Sequence, residues 1–165
     1  MNGGNVRTIG TILAVITLAG CETYKAETTA GRAVPKLRRA AILSNPFSKE
    51  KRHIADDIAA VLEKRGIQSV VVPVGEAVPK DVDAYFTYND RWAWDLTMYL
   101  DKLEIQLHET GTGEVLASVK YRQGAVHRYP SPTDIADNLI GQILGQPPKP
   151  PRRADAPENR ELIKR

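Results

Sequence analysis

One cysteine in 165 residues leaves nothing for an intrachain disulfide and removes the commonest donor of a structural zinc site. The three histidines, His53, His108 and His127, stand far apart with no short-spaced ligand pair among them, so neither a metal centre nor a metal cofactor is expected. Phosphate loops are missing too. There is no Gly-x4-Gly-Lys-Ser/Thr, no Gly-x-Gly-x-x-Gly, and no Gly-x-Ser-x-Gly elbow to present a nucleophile. No apolar run approaches the roughly 20 residues that a membrane-spanning helix needs. These absences exclude a disulfide scaffold, a nucleotide-dependent enzyme and an elbow-type hydrolase, and no catalytic residue and no cofactor is expected.

Positive charge is also scarce where a polyanion-binding fold would need it. The formal net charge of +3 is uneven along the chain: residues 22–145 hold 16 basic and 17 acidic residues, while residues 146–165 hold six basic and three acidic. A nucleic-acid-binding domain carries its surplus on the folded part. Here the surplus belongs to the tail, so nucleic acid is excluded as a partner.

What is present begins at the N-terminus. Ile9 to Ala19 form an apolar run of eleven residues behind a single cation, Arg7, which matches the core of a secretory signal. It ends in Leu18-Ala19-Gly20-Cys21. Small residues before a cysteine resemble the lipobox of bacterial lipoproteins. The resemblance implies cleavage between Gly20 and Cys21, acylation of Cys21 with diacylglycerol and a fatty acid such as palmitate, and attachment to a membrane by several acyl chains rather than by a helix. Glu22 follows the cysteine instead of the Asp associated with inner-membrane retention, so the expected location is the outer membrane, facing the periplasm. The alternative is a buried N-terminal helix with Cys21 as a small core residue.

The expected organisation is a signal peptide over 1–20, a lipidated Cys and tether over 21–37, one domain over 38–145 and a Pro-rich basic tail over 146–165, disordered. Residues 22–37 show no apolar periodicity. Within the domain, residues 38–44 read as a buried strand ended by Asn45-Pro46. A helix follows, capped by Ser48, with Ile54, Ile58, Val61 and Leu62 on one face and Gly66 past its end. Residues 67–74 are a β-branched strand, and the βαβ unit is expected to be parallel. Ala84 to Tyr88 make a third strand. From Trp92 to Glu109 the apolar phase shifts at Asp101-Lys102, which requires a bulge or break. Thr110-Gly111-Thr112-Gly113 supplies a hairpin turn into a strand carrying Val115, Ala117, Val119 and Tyr121. Ser131-Pro132-Thr133-Asp134 starts a second helix, which Gly145 and Pro147 stop. The fold class is α+β in two layers, β-α-β-β-β-β-α, a mixed sheet with two helices on one face.

This layout, with its lipobox and its hairpin around Glu109 to Leu116, resembles small outer-membrane lipoproteins, among them the curli-secretion lipoproteins and the lipoprotein activators of penicillin-binding proteins. The resemblance implies a binding or scaffolding role without catalysis, with an envelope protein or peptidoglycan as partner. Three candidate surfaces follow. Tyr85, Tyr88, Arg91, Trp92 and Trp94 have the composition of an interaction hot spot if exposed, although both tryptophans share the phase of Leu96 and Met98 and so read first as core. Asp90 or Asp95 beside those tryptophans could serve a glycan-binding protein or hydrolase. Arg152 and Arg153 in the Pro-rich tail could meet an anionic partner. Edge strands leave open a third role, as subunit of an oligomeric envelope assembly.

Overall fold

The computed structural model describes residues 23–28, 34–48, 53–124 and 129–149, the first of these by backbone alone. Strand β1 (Thr23–Thr28) already departs from the sequence reading, which assigned these residues to a tether. It pairs antiparallel with Ala117 to Arg122, from Thr23 opposite Arg122 to Thr28 opposite Ala117. An edge strand is held by its ladder, and a polar segment can join one without any apolar periodicity of its own.

Strand β2 (Arg39–Leu43) buries Ala40, Ala41 and Ile42 because the sheet is covered on both faces at this point. Helix α1 (Ile54–Lys64) buries Ile54, Ile58, Val61 and Leu62 along one face, as their spacing requires. Its start differs from expectation. Ser48 does not cap it; Asn45 closes a turn by accepting from Phe47 N (2.9 Å) and Ser48 N, and the helix opens instead behind His53, at φ 42°. Gly66, at φ 76°, leads into β3 (Gln68–Val72), which lies parallel to β2 at the sheet edge, where the following Pro73 interrupts no ladder.

Strand β4 (Ala84–Trp94) pairs parallel with β2, then β5 (Met98–Glu109) and β6 (Val115–Arg122) continue antiparallel. The sequence ended one strand at Tyr88 and ran the next from Trp92. In the structure β4 continues to Trp94, and the chain reverses over Asp95-Leu96-Thr97. The expected irregularity is present, since Arg91 faces Lys102 while Trp92 faces Leu100, leaving Asp101 as the extra residue of a bulge. Helix α2 (Pro132–Ile143) begins as read, with the Ser131 side chain accepting from Asp134 N (3.1 Å), and ends before Gly145 at φ 81°.

The six-stranded mixed sheet has the order β1-β6-β5-β4-β2-β3. Both helices lie on one face, where Phe86, Leu103, Ile105, Leu107 and Tyr121 meet Ile58, Leu62, Ile135, Leu139 and Ile140. On the other face a smaller cluster, Ala41, Val72 and Val82 with Val78 and Tyr85, covers only the β2 end. The start of the tail is ordered against α2. Asn138 Nδ2 donates to the Lys149 carbonyl (2.8 Å) and its Oδ1 accepts from Lys149 N (3.1 Å), so the Pro-rich segment is docked as far as Lys149.

Candidate functional site

The β4–β5 hairpin carries most of the residues singled out above and distributes them over three places. Alternation puts Tyr88 and Trp92 on the helix side. Tyr88 is half-buried against the core; Asn45 N donates to its hydroxyl (3.3 Å), while burial, its largest influence, pushes its pKa up. Trp92 also packs on the core, and its Nε1 donates to Asp90 Oδ2 at 2.7 Å. Tyr85 and Arg91 lie on the opposite face. Tyr85 stacks on His108, ring centroids 4.7 Å apart and planes nearly parallel, and Arg91 is ion-paired with Asp101. The five residues therefore do not form one patch.

Trp94 is the third place. It continues the phase of Trp92, as the sequence indicated, and it pairs across the hairpin with Met98. The helix layer ends at the Trp92–Leu100 pair, however. Leu100 is buried, whereas Trp94 is 71% exposed, Leu96 at the turn 89% and Met98 43%. The first reading of Trp94, Leu96 and Met98 as core is corrected accordingly: the stripe has core phase, but the helix layer stops short of Trp94 and Leu96, which stay exposed, and Met98 is only partly buried. Neighbouring exposed apolar side chains of this size mark a candidate interaction surface.

Asp95, in the turn of that tip, accepts from the Tyr129 hydroxyl (3.3 Å), and Tyr129 meets Tyr99 edge-on at 5.5 Å. Asp90 is on the helix side of β4 and Asp95 lies in the turn beyond Trp94, so the two carboxylates occupy different places on the hairpin. His53 lies against Asp56 (3.0 Å), and His108 is held by Thr87 (2.8 Å) and the Gly113 carbonyl (3.1 Å). Gly20, Cys21, His127, Arg152 and Arg153 lie outside the described residues.

A groove of about 800 Å³ on the open face was not legible as a site. Its sides are Asn89, Glu104 and Lys120 in one register row and Arg91, Lys102 and Arg122 in the next; the backbone of Asp90, Leu103 and Tyr121 forms its floor. The signal was there in part: once 103–121 is read as a hairpin, Lys102 and Glu104 must share a face with Lys120 and Arg122. Arg91 joins them through the β4–β5 register, which runs unbroken from Ala84–Glu109 to Arg91–Lys102, just before the bulge.

Among the solved structures that share this fold are two of PelC from Paraburkholderia phytofirmans, both described as a dodecamer. One is similar at a TM-score of 0.51 and 16% identity, over 74% of this chain and 95% of that one. The other, an L103M form, is similar at a TM-score of 0.53 and 16% identity, over 75% and 96%. Neither belongs to the two lipoprotein groups that the layout resembles. No protein-family model matches the chain, and no curated protein matches it significantly. At this identity the likeness is one of fold.

Proposed function

We propose that the chain is a lipid-anchored, non-catalytic protein of the bacterial cell envelope, held at the periplasmic face of the outer membrane through acylated Cys21, and that its domain works as a subunit of an assembly of its own copies. The observation that carries the assembly is the exposure of Trp94 and Leu96 together at the tip of the β4–β5 hairpin. Fully burying an apolar side chain of this size contributes about 1.5–3 kcal/mol, so a second protein surface over the tip stabilises both. A fold shared with a dodecameric protein supports the same reading. Leu18-Ala19-Gly20-Cys21 supports the anchor, and among the described residues no helix is long and apolar enough to cross a membrane. The placement of Asp90 on the helix side of the sheet and of Asp95 in the turn beyond Trp94, at different places on the hairpin, supports a role without hydrolysis.

The test uses the full chain extracted from membranes in mild detergent. Light scattering and native mass spectrometry should give one defined multimer, and Trp94→Ser/Leu96→Ser should reduce it to monomer with an unchanged circular dichroism spectrum. A monomeric wild type overturns the assembly. Labelled palmitate should enter the wild type and not Cys21→Ala; an unlabelled wild type overturns the anchor.

A further inference from the structure

The groove on the open face of the sheet is independent of both the tip and the anchor. Its outer row sets Arg91, Lys102 and Arg122 directly opposite one another on three neighbouring strands. Strands lie about 4.8 Å apart, so three cations occupy a backbone span of about 10 Å. Like charges directly opposite one another destabilise a sheet. Only Arg91 is compensated, by the bulge residue Asp101, and its Nε donates at 2.6 Å. Neither Lys102 nor Arg122 has an ion-pair partner among the described residues.

The inner row is built differently. Glu104 Oε1 accepts from Gln106 Nε2 (2.8 Å) and Ser118 Oγ (3.2 Å) and lies 3.5 Å from Lys120 Nζ, so its charge is spent within the sheet. The groove is left cationic on one side and polar on the other. No exposed apolar side chain lines it.

We propose that this groove binds a carboxylate-bearing polysaccharide, whose acidic groups meet Arg91, Lys102 and Arg122 and whose hydroxyls meet Asn89 and Glu104. Guanidinium groups pair with carboxylates in a fork, and neutral amide and carboxylate side chains suit hydroxyls. Beneath the groove β5 is paired with β4 and β6, and β6 with β5 and β1, so an acidic peptide cannot add along the centre of the groove as a strand. Firm docking on a lipid surface adds buried apolar side chains to the attraction of the cations, and the groove offers none.

The probe is polygalacturonate, titrated calorimetrically into the full chain in detergent, with the fully methyl-esterified polymer as the uncharged control. Binding is expected for the acid and not for the ester. It should weaken as ionic strength rises from about 0.01 M to about 0.15 M, where the screening length falls from about 30 Å to about 8 Å. Lys102→Gln/Arg122→Gln should weaken it about tenfold, the loss of two exposed charge pairs. Lys36→Gln/Lys80→Gln, with the same change of charge elsewhere on the surface, should leave it unchanged. Thermal melts establish that each variant is folded. Equal binding of acid and ester, equal losses in the two double variants, or no binding by the wild type overturns the proposal. Equal affinity for polyglutamate, or binding only to phosphatidylglycerol vesicles, also overturns it, in favour of an acidic protein or a lipid surface.

Discussion

Asp57 and Asp137 are both partly buried carboxylates next to α2, yet their environments act in opposite directions. Burial raises the pKa of Asp57; the hydrogen bond from Thr133 offsets this only in part, and the charge of Asp56 adds to it. Its folded pKa therefore lies above the unfolded value of about 3.9, so its favourable contribution is complete below that value and is lost as pH rises through the folded pKa. Asp57→Asn should make the protein more stable than wild type at pH 7 by up to about 1 kcal/mol and leave it level in acid, as denaturant melts at the two pH values will show. Burial acts on Asp137 in the same sense, but the Lys149 ammonium at 2.6 Å, Arg65 at 2.6 Å and the charge of Lys64 outweigh it and hold its pKa down. Here the contribution is present above about pH 4 and lost as pH falls through the folded pKa. Asp137→Asn should lower the melting temperature at pH 7 and flatten the loss of stability on acidification. The sequence showed these residues as carboxylates on or near helices; it contained no sign of which would be paired, because Arg65 and Lys149 reach Asp137 through the packing of α1 and the tail on α2.

At the scale of elements, the caps and turns were the most legible features. Ser131-Pro132 opens α2 and Gly145 follows its end because capping chemistry is local to a few residues. Ser131→Ala should cost about 1 kcal/mol, measured by urea denaturation. Gly113 is fixed by its own backbone, at φ 74°, and by the Tyr85 hydroxyl 3.3 Å from where a Cβ would stand, so Gly113→Ala should destabilise the β5–β6 hairpin and disturb the Tyr85–His108 stack. The cap of α1 was misplaced because Ser48 has the right chemistry but its segment is already committed to a turn around Asn45. In the β4–β5 hairpin the phase of Trp92, Trp94, Leu96 and Met98 was right and its meaning was not. Alternation states which face a side chain takes; it does not state how far the opposing helix layer extends.

At the scale of the whole molecule, β1 is the element on which most depends for its length. It closes the β6 edge of the sheet, and without it the backbone of Val115 to Arg122 is left as an unpaired template. A chain lacking residues 23–28 but retaining the signal and Cys21 should melt at lower temperature and aggregate from the β6 edge; hydrogen exchange should show the amides of Ala117 to Arg122 that face β1 losing protection first. The assembly proposed above leaves the other edge, β3, and the tip of β4–β5 as surfaces for neighbouring copies. A contact between these two different surfaces is heterologous: the surface on one copy differs from the surface it meets on the next.

What the sequence by itself determined are the features that a short stretch of chain encodes: the buried faces of α1 and α2, the parallel βαβ opening, the β5–β6 hairpin, the bulge at Asp101 and hence the α+β class. Periodicity and capping are properties of neighbouring residues, and they need no knowledge of what packs on top. The tertiary structure alone decided that residues 23–28 become a sixth strand, that the apolar stripe of β4 and β5 outruns the helices at Trp94, and that Arg91, Lys102 and Arg122 stand in one row. Each of these depends on which distant segment lies alongside, and that is set by how the sheet closes its edges and by the length of the helices laid across it.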